Sequence, residues 1–259
     1  MTDKAEEKMN AFSGRAKKKS TFFLVLLIAL SSCARAAGNT APANVFTRIE
    51  GSQLTYILPA PRTDGEMSLE RALANRRSHR NFQDRPISVY QLSQILWAAY
   101  GITYPIAHPV GLRGGLRTTP SAGALYPLEI YVIIGNVEGI ESGVFRYISE
   151  EHKIVRTIDR DVRAELSNAA LGQRMVREAP ITLFYSAVFS RMTARYGDRG
   201  VRYVFMELGH SAQNVYLQAE ALGLGTCAIG AFHDSQVRQI LQLPANEDPL
   251  YLMPIGYIR

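Results

Sequence analysis

Two apolar runs rich in β-branched residues, Leu128–Ile134 and Ile181–Val188, constrain the fold of this chain more than any other feature. Each has the length of a strand, and the second reads as buried. A buried strand needs partner strands at its edges and other elements over its faces. The sequence supplies both. Val144–Ile148 and Lys153–Ile158 read as a hairpin around Ser149-Glu150-Glu151-His152. Cys227–Phe232 reads as a short strand, and Leu250–Ile258 as a final strand interrupted by Pro254. Ser88-Val89-Tyr90-Gln91 is a capping box, with Ile87 and Leu92 placed to close a hydrophobic staple. Leu92, Ile95, Leu96 and Ala99 then form one apolar face, and Gly101 stops that helix. Tyr203–Leu222 is the longest helical pattern, with Phe205, Leu208, Ala212, Val215, Ala219 and Leu222 on or near one face. Asp161–Leu171 and Asp234–Leu241 read as shorter helices. The elements interleave without strict βαβ regularity, and no Gly-x-Gly-x-x-Gly follows a strand. The expectation is an α+β fold, with helices packed on a sheet and no classical dinucleotide domain.

The N-terminus reads as a sorting signal over residues 1–32. Arg15 and Lys17-Lys18-Lys19 make a positive region, and Thr21–Leu30 an apolar one too short to span a membrane as a helix. Leu30-Ser31-Ser32-Cys33 resembles a bacterial lipobox, which implies cleavage before Cys33 and lipidation of its thiol. An ordinary secretory cut near Ala36-Ala37 is the alternative. Ala34 after the cysteine fits outer-membrane sorting in a host with two membranes, so the expected location is the cell envelope, on the periplasmic face. Residues 33–62, rich in small residues and Pro from Gly38 onward, read as a tether with a short extended piece near Leu54–Leu58. Residues 63–259 form the folded domain. The formal charge of +6 falls to +3 without the leader, too mild to indicate nucleic acid. Cys33 and Cys227 are the only cysteines, which rules out a disulfide framework if Cys33 is acylated and leaves no basis for a cysteine metal site.

Three segments carry the candidate chemistry. The first is Arg76-Arg77-Ser78-His79-Arg80-Asn81-Phe82, just after the amphipathic segment Ser68–Asn75. Arginine forks match phosphate geometry and serine adds a short donor, although basic side chains at a helix end also simply complement its dipole. The second is Pro120-Ser121-Ala122-Gly123-Ala124-Leu125-Tyr126-Pro127-Leu128-Glu129, whose small residues let backbone approach a planar ligand closely. The third is the Gly-rich link Gly223–Phe232 between helix and strand. Between the first and second lies Ile102–Thr119, an irregular loop able to cover a site.

From about Ser68 to its end, the chain resembles the nitroreductase family of flavin enzymes, and most of all its SagB/ThcOx-type branch. The resemblance rests on the three segments in this order, with Tyr196–Tyr203, Gly209–Asn214 and Pro254–Tyr257. It implies a central mixed or antiparallel sheet flanked by helices, a homodimer, and FMN as cofactor at the dimer interface. It further implies that Arg76 and Ser78, with Arg77, meet the FMN phosphate and that Arg80 lies near the pyrimidine edge of the flavin. Pro120, Ser121, Ala122 and Gly123 would line the isoalloxazine, and Gly230 and Ala231 would face its N5. Arg259 would add another phosphate-binding cation. The implied activity is that of an FMN-dependent oxidoreductase moving hydride through N5 to or from a small-molecule or peptide substrate.

In the azoline-oxidising relatives a Lys-Tyr pair precedes the Gly-x-Arg-Gly stretch. The matching residues are Arg195 and Tyr196, the candidate catalytic pair. Desolvated lysine can lose its proton and arginine effectively cannot, so the substitution weighs against azoline dehydrogenation. Cys227 reads as a small apolar residue in a packed turn. The competing reading is a membrane-tethered ligand-binding module on the same scaffold without redox turnover.

Overall fold

The computed structural model describes residues 46–50, 53–106 and 113–259. The leader, Cys33, and positions 107–112 of the expected loop lie outside the described residues. In chain order the strands are β1 (Phe46–Glu50), β2 (Gln53–Ile57), β3 (Ile102–Pro105), β4 (Gly115–Arg117), β5 (Leu128–Ile134), β6 (Gly143–Ile148), β7 (Lys153–Ile158), β8 (Ile181–Ala187), β9 (Leu224–Thr226) and β10 (Asp248–Tyr257). The helices are α1 (Leu69–Asn75), α2 (Val89–Tyr100), α3 (Arg163–Ala169), α4 (Arg174–Glu178), α5 (Phe189–Tyr196), α6 (Arg199–Ala221) and α7 (Asp234–Ile240).

The two apolar runs are β5 and β8, paired antiparallel from Leu128 opposite Ala187 to Ile134 opposite Ile181. They sit at the middle of an eight-stranded sheet ordered β1-β2-β7-β6-β5-β8-β10-β9. Every pairing in it is antiparallel, so the sheet is not mixed. Because strand side chains alternate between faces, β5 and β8 feed two cores. Leu128, Ile130, Val132, Ile181, Leu183 and Tyr185 pack with Leu92, Ile95, Leu96 and Ala99 of α2 and Val204, Leu208, Ala212 and Val215 of α6. Tyr131, Ile133 and Phe184 pack on the other face with Leu166 of α3, Val176 of α4 and Val237 of α7. Each fully buried aliphatic side chain contributes about 1.5–3 kcal/mol, which is why the central strands are apolar on both faces.

Local signals locate several elements well. Ser88 and Gln91 form the reciprocal capping box, and Ile87 and Leu92 are fully buried beside it. Other expectations need correction. β1 and β2 fall inside the span read as a tether and extend the sheet edge through β7, so the folded sheet begins upstream of Thr63. The loop Ile102–Thr119 contains the β3–β4 pair. The strand expected at Cys227–Phe232 is instead β9, just upstream, and Ile229 keeps only an isolated bridge to Leu252. β10 is continuous through Pro249 and Pro254. Pro254 pairs with Thr182 on one side and precedes the stretch that pairs with β9 on the other, a position where a missing N–H breaks no ladder. Helix α6 starts at Arg199, and Phe205 is 52% exposed rather than part of the core face. No helix among the described residues is long and apolar enough to cross a membrane.

Candidate functional site

Helix α1 is capped by the Ser68 hydroxyl, which accepts from the Arg71 N–H at 3.2 Å, and it ends at Arg76, whose backbone leaves helical angles. The chain then runs extended. Ser78 bridges Thr226 in parallel, and the His79 N–H donates to the Thr226 carbonyl at 2.9 Å. The arginine run is thereby laid beside β9 and the Gly223–Phe232 link, so two of the three candidate segments touch.

Their meeting point is Tyr216 of α6, which sequence reasoning missed. Its hydroxyl accepts from the Ala228 N–H at 2.8 Å and lies 3.1 Å from Ser78 Oγ. The Arg76 guanidinium sits 5.3 Å from its ring centroid, a cation–π arrangement. Arg76 is half-buried and Ser78 is exposed. Arg77 behaves differently: its guanidinium turns back to the Ala74 and Arg76 carbonyls at 3.0 and 2.8 Å, closing the helix end. Arg80 is exposed and near Cys227, whose thiol is pushed up by burial and partly drawn back by that charge. Cys227 itself is buried, as a packing residue is. Arg259 reaches the same region from the other end of the chain, its N–H donating to the Asn81 carbonyl at 3.1 Å. Gly230 and Ala231 are exposed, the Ala231 carbonyl accepts from Gln173, and no described residue accepts from either N–H.

The second half of the site is the Pro120–Tyr126 loop. Gly123, Ala124 and Tyr126 all have positive φ, at 61°, 54° and 47°. Left-handed backbone at a non-glycine residue costs about 1 kcal/mol or more, so this turn stores strain. The Ser121 hydroxyl holds it by accepting from the Tyr126 N–H at 3.0 Å. A Cβ on Gly123 would come within 2.6 Å of the Tyr196 hydroxyl and 3.0 Å of Arg195 Nη1. The structure therefore brings both candidate catalytic residues against the loop expected to line a planar ring.

Helix α5 is aimed there by a charge cluster. The buried Glu129 carboxylate meets Arg191 at 2.6 Å, Arg146 at 2.7 Å and Arg113 at 3.0 Å. Burial pushes the Glu129 carboxyl up, but the guanidiniums more than offset that and hold it below its ordinary range. Arg191 also donates to the Tyr126 carbonyl at 3.3 Å, one helical turn before Arg195. Tyr196 then stacks edge-on to Tyr203, with centroids 5.1 Å apart. Gly200 is needed at this crossing, because a Cβ there would lie 2.8 Å from the Met192 backbone.

Polar residues on α6 join the two halves. Asn214 donates to the Thr118 carbonyl and Thr119 Oγ1 at 3.2 and 3.3 Å, one short step along the helix from Tyr216. Ser211 donates to the Ala99 carbonyl at 2.6 Å. One turn earlier, the buried Glu207 accepts from the Tyr100 hydroxyl. Burial, the largest cause, pushes the Glu207 carboxyl up to about 7. The signal that could have found it is a charge sharing the face of Val204, Leu208 and Ser211. Among the described residues no cluster of His, Cys, Asp or Glu is arranged to hold a metal.

A family model described as the nitroreductase family matches residues 73–257, a span that holds all three candidate segments with α5 and α6. The chain belongs to the nitroreductase family. Nitroreductase MJ1384 of Methanocaldococcus jannaschii is 51% identical over 191 residues, covering 74% of this chain and 91% of that protein. NADPH-flavin oxidoreductase of Vibrio harveyi is 35% identical over 114 residues, 40% of this chain and 47% of that one. Microcin B17-processing protein McbC of Escherichia coli is 29% identical over 133 residues, about half of each chain (49% and 48%), in line with the SagB-like resemblance. A crystal structure of a nitroreductase from Ralstonia eutropha JMP134 superposes with a TM-score of 0.67 at 28% identity, covering 79% of this chain and 90% of that one.

Proposed function

We propose that this nitroreductase-family chain is an FMN-dependent oxidoreductase that exchanges hydride with a small organic or peptide substrate. The observation that carries this reading is the convergence of Arg76, Ser78 and the Gly223–Phe232 link on Tyr216. It sets a charged fork and a hydroxyl side by side at the mouth of a glycine-rich turn, a donor set suited to a phosphate monoester. The remaining parts fit a planar ring. Gly123 leaves no room for a side chain, and the Gly230 and Ala231 N–H groups are free to donate. FMN, when bound, supplies two-electron redox chemistry.

The chain's own residues would do the rest. Arg76 and Ser78 bind the phosphate, with Arg80 and Arg259 adding positive potential nearby. The strained Ser121–Gly123 turn presents backbone to the ring. Tyr196, fixed by Tyr203, offers a phenol where substrate would lie. Arg195 presents a planar guanidinium fork, which suits orientation of an anionic group and not proton removal. The exposed Leu69 and Leu73 of α1 and Val201, Phe205 and Met206 of α6 are suited to burial against a second copy, and support a homodimer. Export and lipid anchoring at Cys33 complete the proposal, placing the domain on the periplasmic face of a cell-envelope membrane; labelling with a radioactive fatty acid that survives in Cys33→Ala would refute the anchor.

The deciding experiment is the absorbance spectrum of the purified protein, before and after incubation with FMN. Flavin bands that bleach with dithionite and return with a quinone or nitroaromatic are expected. A protein that stays colourless with added FMN overturns the reading. One that binds FMN without redox turnover is the tethered binding module.

A further inference from the structure

The chief chemical anomaly beside the expected cofactor residues is a carboxyl group inside the larger core. Glu207 is 1% exposed. The Tyr100 hydroxyl, buried at the end of α2, donates to its Oε1, while Oε2 has no hydrogen-bond partner among the described residues. The Ser121 hydroxyl lies near enough to favour the charged carboxylate; it accepts from the Tyr126 N–H and so keeps its own proton free to point toward Glu207. Other ionisable groups facing it are Tyr126, Arg117 of β4 and Arg113 just before that strand.

A purely structural acceptor for the Tyr100 hydroxyl needs no ionisable group, because the amide oxygen of a glutamine would serve. A carboxyl with one unpaired oxygen, buried behind the turn that carries Ser121 and Gly123, can do something an amide cannot: change charge in place. Burial leaves it near half-ionised at neutral pH, so a modest change in local charge decides its state. Arg117 and Arg113 favour the carboxylate, and any negative charge brought to the loop opposes them.

We propose that Glu207 is the buried proton acceptor of this site, taking up a proton when negative charge arrives at the Ser121–Gly123 loop and releasing it when that charge leaves. The inference rests on the flavin reading, in which the reduced ring brings that charge. It gives Glu207 a positioning and charge-balancing part, with Ser121 as the group between carboxyl and loop.

The test uses FMN-loaded protein and infrared difference spectra between the oxidised and dithionite-reduced states at about pH 7.5, just above the half-ionised point. Reduction should produce the C=O stretch of a protonated carboxylic acid in the wild type and not in Glu207→Gln. The midpoint potential, followed against pH, should show an extra proton taken up per electron pair around neutrality, lost in the same variant. Tyr100→Phe removes the donor that favours the charged form. It should move the carboxyl signal to higher pH while leaving the fold intact, and it keeps the test open if Glu207→Gln does not fold. A reduced wild type with no new carboxyl signal overturns the proposal, as does a signal that persists in Glu207→Gln or ignores Tyr100→Phe. A chain that takes up no flavin overturns the cofactor reading and the coupling together. A yellow chain with a silent carboxyl overturns the coupling alone.

Discussion

Replacing Arg76 by alanine separates phosphate recognition from ring recognition. The guanidinium is half-buried and held 5.3 Å from the Tyr216 ring centroid, so it is partly desolvated before any ligand arrives. A charge-assisted hydrogen bond in such a setting contributes about 1.5–3 kcal/mol. Its loss should raise the FMN dissociation constant roughly 10- to 150-fold. The cation–π contact contributes only about 0.5–1 kcal/mol, so the melting temperature should fall by roughly 1–4 °C and the variant stays folded. Titration of flavin-free protein, followed by quenching of flavin fluorescence, measures the affinity. Riboflavin is the control, because it carries the same ring without the phosphate. Arg76→Ala should weaken FMN and leave riboflavin nearly unchanged, and Arg76→Lys should fall between, keeping the charge and losing the fork. Equal losses for both ligands, or no loss for FMN, would refute the assignment of the phosphate to Arg76.

Further outcomes follow from single contacts. Tyr216→Phe leaves the Ala228 N–H without its 2.8 Å partner; a cost of about 1–3 kcal/mol should lower the melting temperature by roughly 2–10 °C. Gly123→Ala places a Cβ 2.6 Å from the Tyr196 hydroxyl at a φ of 61°, so a loss of about 1–2 kcal/mol in urea unfolding should come with a changed flavin spectrum, whereas a silent variant would detach Tyr196 from the loop. His152 lies 2.7 Å from Ser93 Oγ, 3.0 Å from the Pro59 carbonyl and 2.8 Å from the Tyr147 hydroxyl, and burial holds its pKa below the ordinary value of 6.5. The unfolded chain then binds the extra proton, so this contribution is complete above about pH 6.5 and lost as pH falls toward the lower folded value. Melts between pH 7.5 and 5.5 should show that decline, flattened in His152→Asn.

What the sequence made legible was local. α2 could be placed because its capping box, staple and apolar face lie within a few residues of one another, and β5 and β8 because a doubly covered strand has to be apolar throughout. The edge hairpin of β1 and β2 is fixed by pairing with β7, about a hundred residues away in sequence, and the small residues and Pro on either side of it look like spacer. β9 was misplaced for a related reason: its register is set by Ile255–Tyr257 and by the arginine run passing beside it. In the candidate site, the arginine run, the Pro120 loop and Arg195-Tyr196 all carry unusual residue types and were visible. Tyr216 was not, because a tyrosine half-way along an amphipathic helix looks like core until its hydroxyl's partners are known.

Helix α6 gives the sharper case. Phe205 was read as core and is exposed, while Glu207, two residues on, is buried. Two residues along a helix is about 200° around it, so Phe205 falls away from the core while the rest of the face read from the sequence, Leu208, Ala212, Val215 and Ala219, is the buried one. The true face is set by Val204, Leu208, Ala212, Val215 and Ala219, and it carries Glu207 and Ser211 because the end of α2 and the Thr118–Ser121 segment present polar groups there. The displaced phenylalanine is also placed by the site. Its ring meets Phe189, at the start of α5, edge-on at 5.7 Å, and α5 is the helix that brings Arg195 and Tyr196 to Gly123. The buried carboxyl thus faces the Ser121 loop directly, whereas the phenylalanine meets only the start of the helix that reaches it. A helix built only to cover the sheet has no use for a buried carboxyl, which opposes folding. Its place beside Ser121 is what a local rule broken in the service of a site looks like.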